Sequence, residues 1–295
     1  MATLILLGAG ASFGSEPYND ALTPPLGKDL FAKLVARGGV ASRIPDDLKR
    51  VFYNDFEEGM AQFALRHSRH VQAFQRELAL YLESFTPSGT SHYSELLTDT
   101  ANKNVIFASL NYDMMLEETA TRRGFRYNYS DIREYGAVRV LKPHGSINFW
   151  PAMRGAIRGC TFSGASTVFA GPHVEVNKAD VRTLCIEEDS LSPAISMYAK
   201  GKNVSVCPDA VANQQRMFSS ACRRASRIIA LGIRVVPEDG HIWGDIAQSS
   251  AELKYFGCEV DRDELFAWAE VNKRKNISFY PGFFQEFLAE MYGDW

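Results

Sequence analysis

The stretch Leu4-Ile5-Leu6-Leu7-Gly8-Ala9-Gly10-Ala11-Ser12 constrains this chain more than any other. A short apolar run closed by glycine fits a buried strand. Gly8 and Gly10 can take backbone angles that other residues avoid, and they leave no side chain in the way. The stretch therefore predicts a strand running through a tight turn into a helix. Such a turn lets backbone N–H groups approach a phosphate, with the positive end of the next helix behind them. The dinucleotide fingerprint G-x-G-x-x-G is not met, because Gly14 comes one residue late. No plain second strand ending in an acidic residue follows at the spacing that fingerprint requires. Asp29 is near that spacing but sits in the helical pattern of Leu26–Arg37. An ordinary nicotinamide dehydrogenase is disfavoured. A phosphate-binding turn and a plain strand–helix turn both stay open at this point.

Beyond the turn, Ser15–Pro25 is polar and proline-rich and predicts a loop that could close over it. Leu26–Arg37 carries a helical apolar stripe and ends at Gly38-Gly39. Asp46–Phe85 predicts two or three helices, and Ser91–Ala101 a further short one. So long a helical stretch exceeds a simple βαβ crossover and reads as a helical insertion over residues 26–101. Its surface is a candidate for self-association.

Asn104–Leu110 predicts a second buried strand running into Asn111-Tyr112-Asp113, with a helix over Met114–Arg123. Val138–Lys142 predicts a third strand, ending at Pro143-His144-Gly145. Polar residues at the C-terminal ends of parallel strands are where open α/β sheets place ligands. Asp113 could equally cap the following helix. Residues 152–206 give mixed signals and read as a small irregular flap. Ala210–Arg224 predicts a helix and Ser226–Leu231 a fourth strand, ending at Gly232. His241–Leu253 predicts a helix, Tyr255–Val260 a strand, Asp261–Lys273 a helix capped by Asp261, Asn276–Tyr280 a strand, and Pro281–Met291 a last helix. Alternating strand and helix give the expected fold class: α/β, a Rossmann-like mostly parallel sheet with helices on both faces, plus the insertion and the flap. Residues 1–295 are expected to form one domain.

Composition narrows the function classes. A hydrophobic fraction of 46% supports a packed core, and a net charge of −3 gives no footprint for nucleic acid or an anionic membrane. No apolar run is long enough to span a bilayer. The apolar start lacks Lys or Arg before Lys28, unlike a secretory signal. Cys160, Cys185, Cys207, Cys222 and Cys258 are scattered with no C-x-x-C pair. That disfavours a four-thiolate zinc site and fits reduced thiols in the cytoplasm.

Four motifs in order, each at a strand end, are Gly8-Ala9-Gly10-Ala11-Ser12, Asn111-Tyr112-Asp113, Pro143-His144-Gly145 and Leu231-Gly232. Together they resemble the sirtuin superfamily. Asn-Tyr-Asp followed by Met-Leu-Glu, His-Gly-Ser-Ile-Asn-Phe-Trp, and Pro25-Leu26-Gly27 opening a helix are similar to its bacterial anti-phage branch. The missing paired C-x-x-C module departs from the protein deacylases. Arg234 stands in the late loop, where a small hydroxyl residue is usual.

The resemblance implies an NAD hydrolase that cleaves the nicotinamide–ribose bond and depletes NAD in abortive anti-phage defence. The alternatives are an NAD-dependent protein deacylase and a non-catalytic sensor of NAD or ADP-ribose. NAD is then the substrate and no metal is expected. Gly8, Ala9, Gly10 and Ser12 would hold the diphosphate, with Gly232 from the late loop. Asn111 would position ribose and water, Asp113 the carboxamide, and His144 would be the general base. Restraint of such an activity implies a homo-oligomer or a separately encoded ATPase or nucleic-acid-guided partner, with no membrane and no direct nucleic-acid binding.

Overall fold

The computed structural model describes residues 2–17, 20–161, 167–196 and 204–291. Strand β1 (Ala2–Leu7) leads through the glycine turn into the short α1 (Ala9–Phe13). Five helices follow: α2 (Gly27–Ala36), α3 (Asp46–Asn54), α4 (Phe56–Arg66), α5 (Val71–Glu83) and α6 (His92–Thr100). The chain then forms β2 (Val105–Ser109), α7 (Met115–Arg122), β3 (Arg126–Asn128), β4 (Ala137–Leu141), β5 (Phe149–Pro151) and β6 (His173–Glu175). It continues with α8 (Lys178–Glu187), α9 (Pro208–Arg224), β7 (Ala225–Leu231), α10 (Asp245–Gln248) and β8 (Glu252–Gly257). It ends with α11 (Glu259–Val271), β9 (Ile277–Pro281) and α12 (Phe284–Met291).

Seven strands make one sheet in the order β3-β4-β2-β1-β7-β8-β9, and every pairing in it is parallel. The expected Rossmann-like α/β class is what the chain adopts. Alternation along β1 explains the layering. Leu4 and Leu6 pack with Phe218 of α9, Ile246 of α10 and Leu265 and Trp268 of α11. Ile5 and Leu7 pack on the other face with Tyr93 of α6, Met115 of α7 and Phe287 of α12. Both faces are thereby covered by helices, which is why the strands read as continuous apolar runs.

A second core lies beside the sheet. Phe31, Phe52, Phe63 and Phe74 of α2 to α5 gather with Trp150, Val181 of α8 and Ile195. The Phe31 and Phe52 rings stack 4.2 Å apart. Helices α2 to α5 and the segment after β5 thus share one apolar cluster. Within 152–206 the described residues include β6, which pairs antiparallel with β5, and the helix α8.

Three boundaries differ from expectation. β8 starts at Glu252, three residues earlier than the apolar pattern indicates, because Lys254 is buried there against the Tyr280 ring. The chain at 241–253 holds a wide π turn, Gly240–Gly244, and the single turn α10 before β8 begins. The N-cap of α11 is Cys258, while Asp261 sits at the third helical position and accepts the Cys258 N–H at 3.0 Å. All five cysteines are free, three buried and two exposed.

Candidate functional site

In a parallel sheet every strand ends on the same edge, so residues far apart in sequence meet there. The order β4-β2-β1-β7 sets the turns after these four strands side by side. They carry His144, Asn111, Gly8 and Gly232. From β1 the chain builds outward through β2 and later returns through β7 on the other side, so β1/β7 is the switch point where open α/β sheets form a crevice.

Glycine is dictated at this crevice by close approach of two backbones. The Gly10 N–H donates to the Gly232 carbonyl at 2.9 Å and the Gly8 N–H to the Leu231 carbonyl at 3.0 Å. A Cβ on Gly10 would stand 2.8 Å from the Gly232 Cα, and one on Gly8 2.3 Å from Ile233 Cγ2. Gly232 itself has φ +61°, in the left-handed region. Two of the amides expected to face a phosphate are therefore committed to the neighbouring loop. Ala9 is exposed and Gly10 half-buried. Ala9 therefore carries the most exposed backbone of the turn.

Asn111 joins this turn directly. Its Nδ2 donates to the Gly8 carbonyl at 2.7 Å and to Ser12 Oγ at 2.9 Å. Ser12 is buried, 3.1 Å from the Tyr93 hydroxyl and donating to Asp113 Oδ1 at 3.3 Å. The same Asp113 oxygen accepts the Met115 N–H at 3.0 Å at the start of α7. Asp113 thus performs the local role the sequence allowed, holding the entry to α7, and Ser12 is bound to it. Both sit within the frame of the site, with Asn111 nearer its opening.

Lys142, the last residue before Pro143, supports this frame. It is fully buried, donates to the Asp113 carbonyl at 2.7 Å and pairs with Glu117 Oε1 at 3.4 Å. Tyr129 donates to the same carboxylate oxygen at 3.2 Å and receives Asn148 Nδ2 at 2.9 Å. Burial pushes the Glu117 carboxyl above its ordinary value, with the Lys142 ammonium opposing that shift. A lysine closing an apolar strand was the signal available for this network.

His144 is held differently. It is 1% exposed, and its Nε2 lies 3.1 Å from Nε2 of His241 and 3.7 Å from Asp239 Oδ2. The backbone fixes it from behind: its carbonyl accepts the Ser196 N–H at 2.8 Å, and Gly145 turns the chain with φ +80°. His241 is half-buried and forms the outer member of the pair. The structure therefore joins Asn111 to the glycine turn and joins His144 to His241 and Asp239. The last two were not among the expected site residues; the Ile242 and Ile246 spacing around them reads simply as helix. Arg234 is exposed and pairs with Glu264 of α11 at 3.7 Å, away from the turn. Among the described residues no group of three or more His, Cys, Asp or Glu is arranged to hold a metal, and no helix is long and apolar enough to cross a membrane.

No protein-family model and no curated protein matches the sequence. Among solved structures the chain is similar to a Sir2 homologue in complex with NAD, at 15% identity and a TM-score of 0.47, over 99% of this chain and 88% of that one. It is also similar to two mutant Sir2 homologues in complex with ADP-ribose. One is 14% identical, with a TM-score of 0.45 over 98% of this chain and 90% of that one. The other is 14% identical, with a TM-score of 0.45 over 99% and 91%.

Proposed function

We propose that this chain is a sirtuin-like NAD glycohydrolase that releases nicotinamide and ADP-ribose. The observation that carries the reading is the alignment of four motif turns along one sheet edge, with Asn111 bonded directly to the Gly8–Ser12 turn. In the reaction the C1′–N bond breaks and its electron pair goes to the nicotinamide nitrogen. The leaving group starts as a cation and departs neutral, so it needs no proton. The paired carboxylates of ordinary glycosidases are not called for. Water adds to the oxocarbenium-like ribose and loses a proton to a base.

The residues divide accordingly. Ala9 would meet the diphosphate through the exposed side of the turn, with Gly8, Gly10, Gly232 and Ser12 shaping it. Asn111 would orient ribose and water. His144 would take the water proton as a positioned imidazole base. Asp113 would act by holding Ser12 and α7 in place, with carboxamide recognition a further role for its carboxylate. Depletion of NAD in anti-phage defence, a cytoplasmic setting, self-assembly through α2 to α5 and control by a separately encoded partner complete the reading.

The test is nicotinamide release from NAD by the purified protein, with and without an acylated peptide. Release without peptide, lost in folded His144→Ala and Asn111→Ala, supports hydrolysis. Release only with peptide would assign a deacylase. Binding without release would assign a sensor.

A further inference from the structure

The base assigned above is almost completely buried, and one of the groups against it is another imidazole. His144 Nε2 and His241 Nε2 are 3.1 Å apart, with ring centroids separated by 5.1 Å. Two nitrogens at that distance share one proton, one donating and the other accepting. His241 is the more exposed of the two, half-buried where His144 is 1% exposed. We propose that His241 is a removable cap on His144, held closed by this hydrogen bond and swung aside when a ligand enters.

The backbone around His241 suits a small excursion. It lies in the five-residue π turn Gly240–Gly244, a winding that recurs at functional sites. Gly240 and Gly244 bound the turn, and around both the space a Cβ would enter is empty. Ile242 and Trp243 are buried in the sheet core, and their N–H groups donate to the Asp239 carbonyl at 2.8 and 2.9 Å. The rear of the turn is thus pinned while the His241 end borders open space. The motion required is a side-chain swing with a local backbone adjustment.

Asp239 Oδ2 is 3.7 Å from His144 Nε2. Lys142, two residues before His144, is engaged with Glu117 and the Asp113 carbonyl. From α9 the neighbour is the neutral Gln215, donating to the Pro143 carbonyl at 3.2 Å. A hydrogen bond between neutral groups has a typical net strength equivalent to about 2- to 10-fold in an equilibrium. The cap is therefore weak enough for a bound ligand to displace.

Carbethoxylation by diethyl pyrocarbonate, followed at His144 by peptide mass spectrometry, reads its exposure directly. In the wild-type protein His144 should react slowly and His241 first. In His241→Ala, shown folded by a cooperative melt, His144 should react about ten-fold faster. His241→Gln keeps a donor and an acceptor, so it should fall between and serves if the alanine variant does not fold. ADP-ribose, titrated by calorimetry, should bind about 2- to 10-fold more tightly to His241→Ala, because no cap has to be displaced. The gain in affinity rests on the nucleotide reading; the gain in His144 exposure does not. Faster His144 modification with no ADP-ribose binding by either protein would uphold the cap and remove the nucleotide. Unchanged His144 reactivity in both folded variants would overturn the cap.

Discussion

Replacing Gly232 with alanine isolates the backbone contact that shapes the crevice. The new Cβ would stand 2.4 Å from the Ala11 nitrogen, 2.6 Å from the Gly10 carbonyl carbon and 2.7 Å from the Gly10 Cα. All three are backbone atoms, so no side chain can rotate away. Two costs add. Holding a non-glycine residue in the left-handed region costs about 1–2 kcal/mol, and forcing two packed backbones apart adds about 1–3 kcal/mol. The expected loss is about 2–5 kcal/mol, or roughly 3–8 °C in melting temperature for a chain of this length. Gly136 supplies the control. Its φ is +71°, yet nothing lies within 4 Å of the position its Cβ would take. Gly136→Ala should bear only the conformational cost of about 1–2 kcal/mol. Chemical denaturation of both variants measures the difference, and equal losses would refute the close approach of the Gly8–Gly10 turn to the Gly232 loop.

Other perturbations probe the supports of the site. Asn111→Ala removes two hydrogen bonds, to the Gly8 carbonyl and to Ser12 Oγ, and should cost about 1–3 kcal/mol by denaturant titration. Its turnover must therefore be measured well below its melting point. Glu117→Ala strands the buried Lys142 ammonium and should cost about 3–5 kcal/mol, seen as a lower denaturant midpoint. Because the Glu117 carboxyl is raised on folding, its stabilising contribution is fully present below the unfolded value and is lost as pH rises through the folded one. Stability of the wild type relative to Glu117→Gln should accordingly be greatest in acid and decline over that window; a flat difference would contradict the shift. Phe52→Ala opens the second core among Phe31, Phe63 and Phe74 and should cost about 3–5 kcal/mol by the same measurement.

The parts of the fold that were legible are those whose environment is uniform. β1, β2, β4 and β7 carry buried apolar runs, and the half-buried β9 keeps apolar residues at Ile277, Phe279 and Tyr280. β3 is a short half-exposed edge strand with one exposed residue, so it has no apolar signature. The start of β8 is hidden in the sequence because Glu252 and Lys254 lie inside it, and the burial of Lys254, with Tyr280 of the neighbouring strand over it, comes from the sheet and not from local pattern. Helix α8 went unassigned because only Val181 and Cys185 of its residues are buried, too little for a clear stripe. The site divides in the same way. Gly8, Gly10 and Gly232 were legible because close backbone approach permits glycine alone. Whether Asp113 would face a ligand or cap α7 was not, since either role needs the same carboxylate at the same strand end.

His241 shows the limit of local pattern and also why the candidate residues belong to one edge. It lies 97 residues from His144 in the chain. In the sheet, β4 and β7 are separated by β2 and β1, an interval of about 14 Å at the usual strand spacing. The turns after β4 and β7 must between them span that interval for the two imidazoles to touch. The segment from Ile233 to His241 is long enough, since even a few extended residues cover it at about 3.3 Å each. It starts beside the Gly10 turn, where Gly232 accepts the Gly10 N–H, and ends on His144. One short connection thus touches both the Gly8–Ser12 turn and the buried His144. On the proposed nucleotide reading, a ligand lying from the first to the second would press on that connection along its way, and the cap proposed on His144 would then open as the glycine turn fills.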